Sequence, residues 1–227
     1  RIKKIRRIIK KMYVVLPFEE PIYKKANVPV EFVGHPFVEI VKPTLTPQEA
    51  KKQFGLAPEK YTVGILPGSR RSEIEFLLDP MLQAAKKIQE EIKDCQFVLP
   101  IADSIDPEDI KKRISKYSLE IKAVQHNNYN AMNCSDCLMI ASGSATLEAG
   151  LLTRPMVIIY KLKPLTYWAA KQLVKIKNFG LVNIVAGETV VPELLQHEVT
   201  PENISKHVLR FYRETSYREE IQKKLSN

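Results

Sequence analysis

Short apolar runs alternate with stretches of helical period through most of the chain. The runs Met12–Leu16, Val30–Val33, Tyr61–Leu66, Gln96–Ile101, Glu120–Val124, Leu138–Ala141 and Met156–Tyr160 predict strands. Helical patterns fall at Pro47–Phe54, Ser72–Lys93, Pro107–Lys116, Asn128–Asn133, Ala145–Leu152, Leu165–Val174 and Pro201–Tyr212. Thr46-Pro47 and Thr200-Pro201 have the form of an N-cap followed by a first-turn proline, and Gly55 stands where a helix-ending glycine belongs. Strict alternation of this kind implies βαβ units and a Rossmann-like, doubly wound parallel sheet of the α/β class.

The pattern is interrupted between Gly34 and Pro47, where three prolines fall close together. This divides the chain into residues 1–45, belonging to something incomplete, an α/β domain over 46–200, and terminal helices over 201–227. The segment Asn178–Glu188 has no period and reads as a loop carrying Asn183 and Gly187 to the edge of the sheet. The chain begins at Arg1 and ends at Asn227 inside helical patterns, so a longer protein is expected around it.

Two junctions carry the candidate chemistry. Tyr61–Leu66 runs into Pro67-Gly68-Ser69-Arg70 and then a helix. A helix start offers unpaired N–H groups and a positive dipole end, which suit phosphate. Gly68 allows close backbone approach, and Arg70 can grip phosphate oxygens with two N–H groups. The second junction repeats the design: Leu138–Ala141, then Ser142-Gly143-Ser144, then Ala145, Thr146 and a helix. Glu148 lies about one turn in, where a carboxylate suits two ribose hydroxyls better than a phosphate. A cationic junction and an acidic one in one sheet describe a nucleotide pocket. The plainer alternatives are an ordinary βα turn with a surface arginine, and a first-turn glutamate favoured by the helix dipole.

Composition narrows the class. The 227 residues have the apolar and charged content of a globular protein, and no apolar run nears the roughly 20 residues that span a bilayer. Most of the net charge of +9 comes from Arg1–Lys11, with seven basic residues and no acid. Ile2, Ile5 and Ile9 share one helical face there, with Ile8 beside them. Such a helix either packs its stripe on a sheet or lies on an anionic membrane. No Arg/Lys patch interleaved with aromatics occurs elsewhere, so nucleic acid is not an expected partner. Cys95, Cys134 and Cys137 form no disulfide framework. Cys134 and Cys137 have C-x-x-C spacing but no second pair, so neither a metal nor a cofactor is expected, and the cysteines read as core.

Several stretches together are similar to one family. The chain resembles the lipid A disaccharide synthases, glycosyltransferases of family 19 and GT-B type. The matching stretches are Leu16-Pro-Phe-Glu19, Phe32-Val-Gly-His-Pro36, Leu66-Pro-Gly-Ser-Arg70 with Glu73, Ala141-Ser-Gly-Ser-Ala-Thr-Leu-Glu-Ala149, Pro155-Met156, Tyr160-Lys161, Leu165-Thr166, Leu173-Val174, Leu181-Val-Asn183, Ala186-Gly187 and Val191-Pro-Glu-Leu-Leu-Gln196. They run in family order over nearly the whole chain. The resemblance implies a GT-B C-terminal domain with a remnant of the N-terminal domain. It implies transfer of 2,3-diacylglucosamine from UDP-2,3-diacylglucosamine to 2,3-diacylglucosamine 1-phosphate, forming the β-1,6 tetraacyl-disaccharide 1-phosphate and releasing UDP. It further implies a cytoplasmic enzyme peripheral to the inner membrane, and leaves the oligomeric state open, a homodimer included.

The resemblance places the donor on Gly68, Ser69, Arg70, Ser142, Gly143, Ser144, Ala145, Thr146, Glu148, Asn183 and Gly187. His126, Lys161, Gln196 and His35 are secondary candidates: His126 can line a base pocket or cap a loop, Lys161 can reach a phosphate or stay solvated, and His35 can touch substrate or stabilise its turn. Trp168, with Tyr167, Ala169 and Leu173, reads as a packing face or as an acyl-chain or dimer surface. Three departures stand out. The family's first half is missing, with its expected acidic base and acceptor pocket; the last helix is cut; and Ser144 replaces a frequent threonine. No catalytic residue is therefore expected in this chain, and no turnover from it alone. The alternatives are another UDP-sugar enzyme of this fold, such as an epimerase or a peptidoglycan glycosyltransferase, and a non-catalytic UDP-binding domain.

Overall fold

A computed structural model describes residues 2–162 and 178–226. The helix expected at Leu165–Val174, with Tyr167, Trp168, Ala169 and Leu173, lies outside the described residues, as does Lys163–Pro164. The chain divides into two compact units, residues 1–41 and 42–227.

The first unit holds α1 (Ile2–Ile8), β1 (Met12–Val14), α2 (Glu19–Lys25), β2 (Val30–Phe32) and α3 (Phe37–Ile40). Strands β1 and β2 pair in parallel, Met12 opposite Val30 and Val14 opposite Phe32. Val14 and Val28 are buried, whereas Ile8 on the basic helix is 68% exposed. The short helices α2 and α3 were not evident from the sequence, since neither is long enough to display a period.

The second unit holds α4 (Pro47–Gln53), β3 (Tyr61–Leu66), α5 (Arg71–Glu91), β4 (Cys95–Ile101), α6 (Pro107–Ile114), β5 (Ile121–Gln125), α7 (Asn128–Asn133), β6 (Cys137–Ala141), α8 (Ala145–Leu151), β7 (Met156–Tyr160), α9 (Leu181–Ala186), β8 (Glu193–Leu195), α10 (Pro201–Arg213) and α11 (Thr215–Leu225). Five expected strands and the unexpected β8 form one parallel sheet in the order β5-β4-β3-β6-β7-β8. Val63 of β3 lies opposite Phe97 of β4 on one side and Cys137 of β6 on the other. The central strands are buried on both faces, which is why they read as continuous apolar runs rather than alternating ones.

The helices start where their caps predict. Thr46 Oγ1 accepts the Glu49 N–H at 3.3 Å while the Glu49 carboxylate accepts the Thr46 N–H at 2.9 Å. Thr200 Oγ1 accepts the Asn203 N–H at 3.2 Å. Pro80 lies inside α5 and removes one i→i−4 bond, but the buried stripe Ile74, Leu77, Leu78, Met81, Leu82 and Ile88 keeps the helix docked. Helix α10 packs on α5 and buries Ile204, Val208 and Phe211, and the terminal helices belong to the second unit. The boundary falls before Lys42 because Asn130 Oδ1 in α7 accepts the N–H groups of Thr44 and Leu45, at 2.9 and 3.1 Å. The cysteines are core: burial pushes the thiols of Cys95 and Cys134 up to about 11 and that of Cys137 up to about 12.

Candidate functional site

In the order β5-β4-β3-β6-β7-β8, sequential strands run outward from β3 in one direction and from β6 in the other. This is the order of doubly wound nucleotide-binding sheets, and the crevice at the carboxyl ends of the two middle strands is where such sheets take ligands. Both junctions singled out in the sequence lie there. The Gly68–Arg70 turn leaves β3, the Ser142–Ser144 turn leaves β6, and a cavity of about 250 Å³ lies between them, with Glu148 in its wall. Pro100 near the end of β4, Ala102 just beyond it, and Asn128 and Met132 of α7 also line it. The sequence reading missed these four. Their only signal is the adjacency of β4 to β3, which sequence order does not state.

The first turn is closed by a side chain of its own. Gly68 has φ +110°, and a Cβ there would overlap the Glu73 side chain. Glu73 Oε2 accepts the N–H groups of Ser69 and Arg70 at 2.9 and 3.1 Å, and Glu73 Oε1 accepts Arg70 Nη1 at 2.8 Å. Ser104 Oγ donates to the Ser69 carbonyl at 2.6 Å. The N–H groups of Ser69 and of the N-cap residue Arg70, just before α5, thus already hold a carboxylate and are not open to phosphate. The Arg70 side chain, 77% exposed, keeps its remaining N–H groups for a ligand.

The second turn is open at the front. The Ser142 N–H is taken by the Ile159 carbonyl at 2.9 Å, but among the described residues nothing accepts from the N–H groups of Gly143, Ser144 and Ala145. Thr146 is buried and its hydroxyl donates to the Gly143 carbonyl at 2.8 Å, so it shapes the turn from inside. The half-buried carboxyl of Glu148 is raised above its ordinary value by burial alone, with no hydrogen bond or cation offsetting the cost. Such a group is ready for hydroxyl donors.

The remaining candidates fall elsewhere. Asn183 is fully buried, and its amide holds four partners: it accepts from Val190 and Val191 N–H and donates to the Val191 carbonyl and Glu193 Oε1. With every position filled it fixes a loop and has none left for a donor sugar. Gly187 ends α9 in the left-handed region at φ +73°, a conformational reason for glycine. Helix α9 itself replaces the loop expected over Asn178–Glu188. Gln196 pins Leu162, accepting its N–H at 2.6 Å and donating to its carbonyl at 3.2 Å. His126, exposed beyond β5, faces Asp103 at 3.0 Å. Lys161 follows β7 outside the cavity. His35, in the first unit, accepts the Phe37 N–H at 3.2 Å and packs on the Phe37 ring, the turn-stabilising alternative.

A polar cavity of about 440 Å³ at the opposite end of the sheet is a structural cluster. Its Lys51 donates to the Pro58 and Lys60 carbonyls and lies 3.7 Å from Asp136, and Arg154 donates to the Leu152 and Ser135 carbonyls. Among the described residues no three His, Cys, Asp or Glu side chains gather as a metal site.

Strand order and crevice define the class: a doubly wound domain of the GT-B glycosyltransferase fold. Solved structures agree. WaaG, a glycosyltransferase involved in lipopolysaccharide biosynthesis, superposes with a TM-score of 0.60 over 94% of this chain and 56% of its own, at 10% identity. Anabaena Alr3699/HepE in complex with UDP-glucose superposes at 0.56 over 99% of this chain and 60% of its own, at 12% identity. The sequence narrows this further. The lipid-A-disaccharide synthetase (LpxB) family profile matches residues 1–227, and the chain belongs to that family. The lipid-A-disaccharide synthase of Trichlorobacter lovleyi is 43% identical over 227 residues, all of this chain and 59% of the relative. That of Coxiella burnetii is 42% identical over 227 residues, all of this chain and 60% of the relative. The chain thus spans about 60% of the length of these relatives.

Proposed function

We propose that this chain is the donor-nucleotide part of a glycosyltransferase that makes the lipid A disaccharide. The donor is UDP-2,3-diacylglucosamine and the acceptor 2,3-diacylglucosamine 1-phosphate. The observation that carries the reading is the crevice between β3 and β6, with a cationic and an acidic wall, in a chain of this family. UDP lies with its diphosphate between Arg70 and the Gly143–Ala145 N–H groups, and its ribose toward Glu148. In the transfer, the acceptor hydroxyl oxygen bonds to the sugar C1 as the C1–O bond to UDP breaks. The leaving diphosphate takes the electron pair, and Arg70 and the turn N–H groups stabilise the charge that develops there. The hydroxyl proton needs a base, which we assign to the part of the relatives' length that this chain does not span. The UDP-glucose complex of Anabaena Alr3699/HepE supports a UDP-sugar in this fold.

The diacylated substrates place the chemistry at a membrane surface, inside the cell and peripheral to the inner membrane. No described helix is long and apolar enough to cross a membrane. The basic helix α1 is the candidate contact with anionic lipid. A homodimer remains part of the proposal without a surface assigned to it. Calorimetric titration of UDP into the Arg70→Ala variant tests the central reading. Loss of a charge-assisted contact weakens binding by about 1.5–3 kcal/mol, or about 10- to 150-fold. Unchanged affinity overturns the site.

A further inference from the structure

We propose that Glu73 is a positioning residue for the donor diphosphate, acting through Arg70; this rests on the donor reading above. Three donors converge on its carboxylate: the Ser69 and Arg70 N–H groups on Oε2, and Arg70 Nη1 on Oε1. This is the geometry of a bound anion at a helix start, supplied from within the chain. The carboxylate is sunk in the turn, with Glu73 only 19% exposed against 77% for Arg70. The missing Cβ of Gly68 makes room for it, since a methyl there would overlap both its Cβ and its carboxylate.

Two consequences follow. A phosphate cannot share the Ser69 and Arg70 N–H groups that Glu73 occupies, so these two do not cradle the diphosphate. The turn presents a guanidinium instead. One Arg70 nitrogen is tied at 2.8 Å, and the exposed guanidinium keeps further N–H groups, a fork that matches two phosphate oxygens. A long exposed arginine would otherwise lose several rotamers on binding; Glu73 imposes that order beforehand. The turn thus resolves a conflict: a carboxylate beside a phosphate site is repulsive in itself, and is tolerated here because it fixes the cation facing the ligand. Ser104, donating to the Ser69 carbonyl, holds the other side of the same turn.

A double-mutant cycle on the 227-residue chain tests this, with UDP and uridine as probes and calorimetry as the readout. Glu73→Gln keeps shape and length but cannot accept from all three donors. It is expected to weaken UDP about tenfold and leave uridine unchanged. In the Arg70→Ala background the same change is expected to have no further effect on UDP. A structural role alone would move UDP and uridine together and would persist without Arg70, and either result overturns the proposal. Tighter UDP binding by Glu73→Gln overturns it in another way, showing the carboxylate to be a competitor of phosphate. The donor reading fails separately, if Arg70→Ala alone leaves UDP affinity intact. Arg70→Lys leaves the Glu73 cap in place and decides the matter should Glu73→Gln not fold. Its single ammonium, held by Glu73, has no second edge, so it is expected to lose UDP as Arg70→Ala does. Full UDP affinity in Arg70→Lys overturns the proposal.

Discussion

Both junctions at the middle of the sheet carry Gly and Ser before a helix, and each is steadied by a glutamate, but the two glutamates stand on different sides. Glu73 lies in front, inside the crevice, and takes the N–H groups of its own turn. Glu193 lies behind the other. Its carboxylate accepts from Phe179 N–H at 2.8 Å, Gly180 N–H at 3.0 Å and Asn183 Nδ2 at 2.7 Å. The Phe179 carbonyl in turn accepts from Ser142 Oγ at 3.2 Å. The second turn is therefore held from the rear, with three N–H groups left facing the crevice. The same local sequence signal yields a presented side chain at one junction and a presented backbone at the other. What decides between them is where the nearest carboxylate lies.

The largest effect expected is on the rear support. Asn183→Ala leaves the Val190 and Val191 N–H groups and the Val191 carbonyl without their partner in a buried setting. Unsatisfied buried groups of this kind cost about 3 kcal/mol together, or about 6–12 °C in Tm for a chain of this size. Thermal melting checks it. A variant that melts like the wild type yet fails to bind UDP would mean that Asn183 meets the donor and does not brace the turn.

The two glycines sharpen the contrast. Gly68 stands at φ +110°, against the Glu73 side chain, so Gly68→Ala is expected to cost about 2 kcal/mol and to weaken UDP binding by displacing that carboxylate. Gly143 has ordinary φ, and a Cβ there meets nothing within 4 Å. Gly143→Ala is expected to change stability by no more than about 0.5 kcal/mol while weakening UDP, because in the proposed donor pose this turn's backbone meets the diphosphate. Melting and titration of both variants separate the cases. Equal losses of stability would erase the distinction between the turns.

This contrast also marks how far the sequence could be read. The strands β3, β4, β6 and β7 were legible because burial on both faces leaves runs of apolar residues. Strand β8 was not, since Glu193–Leu195 has three residues and opens with a carboxylate that serves the Asn183 network. The residues of both turns were legible as anion and sugar candidates from their place before a helix. Their availability was not, because it depends on Glu73 folding back over three residues and on Glu193 arriving from another strand. Asn183 shows the same limit: an amide near glycines reads as a ligand contact until all four of its partners are seen to be main chain or Glu193.

The smallest effect concerns Glu148, the acidic wall of the crevice. Burial raises its carboxyl above the ordinary value near 4.5. A raised acid binds its proton more tightly in the folded chain than in the unfolded one. Between the two values the folded state holds more protons, so stability falls as pH rises from the unfolded value through the folded one, and stays lower above. Glu148→Gln removes that cost. The variant is expected to match the wild type below about pH 4, where both side chains are neutral, and to exceed it modestly at neutral pH. Its UDP affinity is expected to fall by about fivefold, because an amide oxygen accepts ribose hydroxyls less strongly than a carboxylate. A variant whose stability advantage over the wild type grows with pH, and which loses affinity, marks Glu148 as a group kept for its ligand. A stability difference that does not vary with pH would remove the burial argument. UDP affinity equal to the wild type would take the ribose from this wall.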